Sequence, residues 1–515
     1  MAVAAVNTGF EGVCRTARIG AGLEGSEESG QKCGRLDHHP SRGRRRIMMR
    51  FTIEARLIDD EGSGEPVLLG EFERPDDPAR VGLTLEEGRG LLHKAQQFMS
   101  AGYVAGWLRW RSSCDYCGVA YPHKDTRTVT YRTIFGRVEL PSPRWYECLC
   151  KCSIYRPQPS WSPLTTALRE RVSPQLEQLQ VKFAAQLPYA QAVALLKELL
   201  PLDDSISVSG TKNRVRAVAE SREEAVARGI EDLPAPRHPT APSATVNSMA
   251  IDSVWLRHCK PSRVHARQVS VAAARATLAD GTTRLCGYVT KQVQRGSKRT
   301  DLFLKQLGVR PQERVTVIAD GAGEFETAIT ESQYTGLRIV DWFHIAMKFR
   351  AAQLTAFGME KRLPLHSETI KLRLERAKWR LWHGRAKGAI ELIRSLPEFI
   401  AKHCGGDCST LLTNIDKLQT YLESNERYMV DYGKRYRAGL PISSAPAESA
   451  VNELVSMRMA KKRQMRWSDE GAHALVQVRA AVLNGKLKAR ERPVPWYRKP
   501  ASNAWRFDDF DRWAA

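Results

Sequence analysis

The chain has 515 residues, with 79 Lys+Arg against 57 Asp+Glu, a formal net charge of +22 and a pI near 9.7. Such a length requires several domains, and the positive surplus across many segments favours a nucleic-acid partner over a merely soluble basic surface. No run long and apolar enough to cross a bilayer occurs, and the N-terminus lacks a charged start followed by an apolar core, so neither a membrane span nor a signal peptide is indicated and a cytoplasmic protein is expected.

Residues 1–48 are rich in Gly, Ser and Arg, show no sustained apolar period and read as a disordered N-terminal extension, with Met48 or Met49 as an alternative start. Residues 49–112 hold a first strand at Arg50–Arg56 and an amphipathic helix within Leu83–Leu108, where Thr84 precedes Glu86 and Glu87 in a first turn that suits the helix dipole. In the segment 113–160, Cys114 and Cys117 face Cys148 and Cys150 across the alternating stretch Thr126–Leu140, with Cys152 as a possible substitute for Cys150. Thiolates in two knuckles at the ends of a hairpin fit a zinc-ribbon-like site, since structural Zn2+ takes four such ligands in a tetrahedron. Crowding of the cysteines here favours metal binding in a reducing compartment, whereas Cys404 and Cys408 read as ordinary thiols.

The segment 165–230 is read as three short helices, Gln175–Ala184, Ala190–Leu200 and Ser209–Glu220, in a helix-turn-helix-like DNA-binding arrangement. Lys212, Arg214 and Arg216 lie near the start of the last helix, the part that reaches base edges in such motifs; a small bundle with a solvated basic face is the alternative. Pro234–Pro242 is a proline-rich linker.

From residue 235 to 350 the pattern is that of a sheet. Val246–Trp255 is an apolar strand carrying Asp252 toward its far end, Val264–Leu278 and Thr282–Thr290 are strands joined through Asp280-Gly281, and Arg299–Leu307 is a helix. Arg314–Ala319 is a β-branched strand running into Asp320-Gly321, followed by a helix through Glu324–Glu331, a strand at Gly336–Val340, and Asp341-Trp342-Phe343-His344 leading into another helix. The order βββαβαβα outlines a ribonuclease H-like sheet, making the chain a multidomain α/β protein. Residues 351–440 read as an all-helical insertion, with basic and aromatic positions interleaved through Lys371–Trp382. The core resumes at 441–488 with a helix bearing Glu448, and 489–515 is a C-terminal tail. Arg458, Lys462 and Arg466 are expected to form a cationic stripe along that helix for phosphate contacts.

Asp252, Asp320 and Glu448 are two strand-end aspartates and one helical glutamate of the same expected sheet. Three such carboxylates could hold two Mg2+ (or Mn2+) ions ~3.5–4 Å apart, which stabilise attacking and leaving oxygens in phosphoryl transfer. A lone histidine such as His344, at a strand-to-helix junction, is more often a hydrogen-bonding residue and is left outside the catalytic set.

The runs AIDSVW, VTVIADGAGEF, DWFHIAMKF and AESAVNELVSMRMAKKRQMRWSDEGAHALVQVRAAVLNG, with FGRVELPSPRWYECLC upstream, resemble the bacterial insertion-sequence transposases of the DDE class, most of all the ISKra-type family. The resemblance spans roughly residues 49–488. It implies metal-dependent DNA cleavage and strand transfer at element ends, with catalytic roles on Asp252, Asp320 and Glu448. Double-stranded DNA (terminal inverted repeats and target) would be the partner, bound by a homodimer or higher oligomer in the bacterial nucleoid. SSAPAES stands where the family tends to show a glycine-containing turn, which leaves Glu453 as a second candidate for the third ligand. The alternatives are a catalytically silent DNA-binding descendant of a transposase and a purely hydrolytic metal-dependent nuclease.

Overall fold

A computed structural model describes residues 48–58, 65–75, 81–151, 158–235, 241–260, 268–321, 331–358, 366–459 and 465–490. The expected N-terminal extension, the helix through Glu324–Glu331, most of the C-terminal tail, Cys152 and Lys462 lie outside these residues. Among the described residues, no helix is long and apolar enough to cross a membrane. The chain divides into two units: described residues up to Gln180 with Ala190–Val208 and the start of the tail form the first, and Val181–Tyr189 with Ser209–Lys488 form the second.

In the first unit, β1 (Met48–Arg56) and β2 (Pro66–Pro75) pair antiparallel. Helix α1 (Leu85–Trp110) starts at a capping box in which Thr84 and Glu87 each bond the other's backbone N–H. Arg74 fixes this helix start by an ion pair to Glu87 at 2.6 Å. An antiparallel sheet of β3 (His123–Thr133), β4 (Gly136–Tyr146) and β5 (Ser160–Trp161) packs its alternating inner residues Val129, Val138 and Leu140 against Val104 and Leu108 of α1. Tyr121, Trp145 and Trp161 close that core in stacked and edge-to-face contacts at 5.7–5.9 Å.

Three consecutive helices follow: α2 (Pro163–Ala167) is short, and the expected pair is α3 (Pro174–Gln186) and α4 (Tyr189–Leu199). The third expected helix, α5, runs Val208–Glu231, eleven residues past the sequence expectation of Glu220. From Ser209 its residues group with the second unit. The cause is packing: Glu223 receives Arg299 and lies 3.0 Å from His473, and Gly229 lets Leu302 approach to where a Cβ would meet it at 2.9 Å.

The second unit is built on a sheet of β6 (Ala241–Pro242), β7 (Val246–His258), β8 (Gln268–Leu278), β9 (Thr283–Val289), β10 (Glu313–Ala319), β11 (Thr335–Val340) and β12 (Arg466–Trp467). Its main path is β11-β10-β7-β8-β9. The meander β7–β8–β9 is antiparallel, while β10 and β11 run parallel to β7. At the expected hairpin, Gly281 takes φ +81° and Asp280 Oδ1 accepts from Thr282 N at 2.8 Å. Helix α6 (Gly296–Gln306) returns the chain from β9 to β10, as the apolar spacing predicts.

The stretch after β11 forms the expected all-helical body: α7 (Trp342–Gly358), α8 (Ser367–Trp382), α9 (Ala386–Arg394), α10 (Leu396–His403), α11 (Ser409–Asn425) and α12 (Tyr432–Arg437). Its core is fully buried at Phe349, Leu374, Leu381, Ile393, Leu411 and Leu418. Two tyrosine hydroxyls fasten it to the sheet: Tyr432 donates to Val340 O at 2.9 Å and Tyr421 to Asp320 O at 2.7 Å. Cys404 and Cys408 are not free thiols but a disulfide across the Gly405-Gly406 turn, with Cα atoms 6.6 Å apart.

Helix α13 (Ala445–Val451) continues through a π turn at Asn452–Ser456 into α14 (Met457–Met459), and α15 (Asp469–Leu483) packs beside them. A π turn loosens the backbone ladder, and buried Arg479 supplies donors there: Nε donates to Leu454 O at 2.8 Å, and the guanidinium also reaches Glu453 O and Ala185 O. At Gly287 of β9, a Cβ would lie 2.4 Å from Leu454 and 3.2 Å from Val476, so only glycine lets these helices sit on the sheet.

Replacing Arg479 with Ala leaves two buried carbonyls and one half-buried carbonyl without this donor and opens a cavity, so unfolding free energy should fall by about 3 kcal/mol. Equilibrium denaturation of the full chain measures this, and a loss below ~1 kcal/mol would remove Arg479 from the support of the π turn.

Candidate functional site

Helix α1 ends just before a tight turn in which Cys114 N donates to Val119 O at 2.8 Å and Gly118 N to Cys114 O at 2.9 Å. Gly118 takes φ +72°, the left-handed conformation such a turn requires. The turn aims Cys114 and Cys117 at Cys148 and Cys150, which follow β4. All four sulfurs lie within 4.8 Å of one another, with Cys117 to Cys148 at 3.2 Å and Cys114 to Cys150 at 3.6 Å. A tetrahedron with ~2.3 Å metal–sulfur bonds has edges near ~3.8 Å, so the spacing fits one ion.

The electrostatics point the same way. Amides of Cys117 and Tyr116 donating to the Cys114 sulfur bring its pKa down to about 6. Cys117 receives the Val119 amide, yet the neighbouring Cys148 thiol and burial leave it raised, and Cys150 is raised chiefly by Cys148. Four thiols this close cannot all ionise without a cation among them. The expected cluster of Cys114, Cys117, Cys148 and Cys150 is therefore assembled and able to hold a metal ion such as structural zinc.

In the second unit, strand register assembles the acidic site. Ala319 of β10 stands opposite Ile251 of β7 on one side and Val340 of β11 on the other. The next residue of each strand is Asp320, Asp252 and Asp341, which places three aspartates in one row across three parallel neighbours. Asp252 is not at the end of its strand as the sequence suggested. Strand β7 continues to His258 because its pairing with β8 persists to Arg257, and Asp252 marks the point where β10 stops. The Asp320-Gly321 turn needs its glycine, with φ +84° and a Cβ position 2.8 Å from Asn425 Oδ1.

Glu448 lies exposed in the first turn of α13. Its charge is felt in the row: burial raises the Asp252 pKa, the Ser253 amide at 2.6 Å opposes that, and Asp320 and Glu448 raise it further. These carboxylates do not draw together as tightly as the thiols, since among the described residues only the cysteine cluster brings its ligand atoms within 4.8 Å. Glu453, the other candidate, is engaged elsewhere: Arg275 holds it at 2.8 Å, and Ser449 donates to it at 3.4 Å.

Two residues beside this site were not assigned roles in the sequence. Asp341 is fully buried and accepts from Phe343 N at 2.7 Å, from Ser444 Oγ at 2.5 Å and from His344 Nδ1 at 2.9 Å. Burial alone would raise its pKa, but these donors, His344 first, hold it below the usual carboxylate range. Ser444 is the N-cap position of the Glu448 helix, so one buried carboxylate ties the end of β11 to the start of that helix. His344 is raised mainly by its bond to Asp341, and Asp320 and Glu448 add to the shift. The available signal was a third strand ending in aspartate.

The expected DNA-contacting cations separate into different environments. Lys212 and Arg216 are exposed on α5 and Arg214 is half-buried; Arg466 is exposed on β12. Arg458 is not on an exposed stripe. It is 1% exposed, its Nε donates to Ala184 O at 2.9 Å, and its guanidinium lies over Tyr189 at 4.9 Å and Trp467 at 5.7 Å. An arginine so enclosed braces the helices rather than meeting a phosphate.

No protein-family model matches the chain, and no curated protein matches it. Metal analysis of the purified protein should find about one zinc per chain, lost on Cys114→Ser. Folded protein without zinc would rule out a structural ion at these thiols.

Proposed function

We propose that the chain is a DDE-type DNA transposase whose second unit is a ribonuclease H-like catalytic domain, cutting element ends and joining the 3′-hydroxyl to target DNA. The observation that carries this reading is the register that sets Asp252 beside Asp320, with the charge of Glu448 felt at Asp252. The family resemblance of the motifs around these residues supports it, as does the net charge of +22.

Asp252, Asp320 and Glu448 would hold Mg2+ or Mn2+. Their hard oxygen donors suit such ions, and the mutual repulsion at Asp252 is a load that cations relieve. When bound, two ions stabilise the charge on the attacking and leaving oxygens of the phosphoryl group. Asp341 orients His344 and fixes the helix start that carries Glu448, so the third carboxylate is presented from a braced element. Lys212 and Arg216, with Arg214 behind them, and exposed Arg466 would contact DNA, on an assembly of two or more copies. Zinc at the four thiols would be structural. Hydrolysis without joining uses the same carboxylates and differs only in its nucleophile, and a silent DNA-binding descendant would keep the scaffold without the cleavage.

Asp252→Ala, Asp320→Ala and Glu448→Ala should each reduce magnesium-dependent cleavage of element-end DNA by at least about a hundredfold while DNA binding persists. Glu453→Ala should remain active, because Arg275 already holds that side chain. Joined products seen on a gel would favour transposition, and nicked products alone would favour a nuclease. Wild-type cleavage by any of the three variants would remove that residue from the site.

A further inference from the structure

The interleaved basic and aromatic run on α8 is not used by the carboxylate site, yet the fold turns it into a surface. Leu372, Arg376, Trp379, Arg380, His383 and Arg385 line an open cleft of about 400 Å3. Trp379 is 51% exposed although it stands on a helix whose other face, at Leu374, Ala377 and Leu381, is fully buried. Exposing so much indole on a rigid element has no packing benefit. The ring is also held in place: Trp382 meets it edge-on at 6.3 Å and His383 lies nearly parallel at 6.3 Å.

Charge around the ring is positive. Arg376, Arg380 and Arg385 are exposed, and Arg380 is steadied by donating to Gly388 O at 2.9 Å. Glu375 also lines the cleft, but its carboxylate is occupied by Gln353 at 2.7 Å and Lys378 at 3.6 Å. Behind the cleft, the packing of α8 runs to the segment that follows β11. Trp382 packs on Trp342 at 4.9 Å, and Trp342 is the residue after Asp341.

We propose that this cleft binds unpaired nucleotides of single-stranded DNA, with a base stacked on Trp379 and its flanking phosphates on Arg376, Arg380 and Arg385. A fixed aromatic face inside a cationic groove recognises single strands, because every base has a stacking face and every linkage a negative charge, whereas a duplex keeps its bases stacked on each other. The proposal rests on the reading of the second unit as a DNA-cutting domain and adds a place for the strand that separates near the cut.

The test uses the full chain carrying Asp252→Ala, so that no cleavage intervenes, and measures fluorescence anisotropy with a blunt duplex and with the same duplex bearing a short single-stranded overhang. The parent should prefer the overhang. Adding Trp379→Ala should weaken overhang binding about tenfold and leave blunt-duplex binding unchanged, and Trp379→Phe should restore most of the loss. Arg376→Ala, an exposed substitution with no packing role, should lower overhang affinity and flatten its salt dependence. Unchanged overhang binding in Trp379→Ala or in Arg376→Ala overturns the proposal, as does tighter binding of an RNA overhang than of the DNA one. Failure of the wild-type chain to cut DNA in magnesium would overturn the catalytic reading while the overhang preference stands, so the two failures are separable.

Discussion

Parallel pairing of strand β10 with a neighbour on each side is the constraint from which the acidic site follows. Its buried β-branched residues Val315 and Val317 share one face, so a one-residue shift would send both to the opposite face of the sheet. With that register set, Asp252, Asp320 and Asp341 have to emerge side by side. Like charges in a row oppose folding, and the chain answers each differently. Asp341 is buried and saturated with three donors, Asp252 is half-buried with a raised pKa, and the backbone carbonyl of Asp320 is tied down by Tyr421. Asp341, the most buried of the three, is the one whose donors hold its pKa below the usual carboxylate range, whereas burial raises that of Asp252.

The helix carrying Glu448 is a separate problem, since nothing in the sheet dictates its rotation. Two devices govern it. Ser444, whose hydroxyl donates to Asp341, ties down the start of the helix, and the π turn at Asn452–Ser456 resets which residues face the sheet beyond it. Positions five apart differ by roughly 140° at 3.6 residues per turn, and the π turn that holds Glu453 changes its direction further, so Glu448 and Glu453 meet different neighbours. Glu453 is accordingly drawn to Arg275 on strand β8, and Glu448 is left facing outward. Buried Arg479 and Arg458 stabilise the region by donating to backbone carbonyls, so Arg458 is withdrawn from the surface that its neighbours in sequence suggested.

The two candidate metal centres call on opposite chemistry. Four sulfurs, closely spaced and supported by backbone amides, are preorganised for a soft, tetrahedral ion that replaces a core too small to hold the ends of the β3–β4 hairpin. The carboxylates are more widely spread, as hard-ion sites that complete themselves with substrate oxygens can be. A thiolate cluster can therefore be recognised from its own geometry, whereas the carboxylate site acquires meaning only from the strands that carry it.

Local chemistry was enough to read much of this protein from its residues. The Asp280-Gly281 hairpin, the β-branched run at Arg314–Ala319, the Thr84 start of α1 and the paired cysteine knuckles are all determined by neighbours a few positions apart, and each appears in the fold. The same local rules placed Asp252 at a strand end, stopped the third helix of the DNA-binding segment at Glu220 and put Arg458 on the surface. Those three matters were decided by tertiary structure, because each depends on a partner distant in sequence: β8 and β12 for the length of β7, Arg299 and His473 for α5, and the Ala184 carbonyl for Arg458. Periodicity reports which face of an element is apolar, but a buried arginine and an exposed one have the same letter, and only the carbonyls that come to meet it tell them apart.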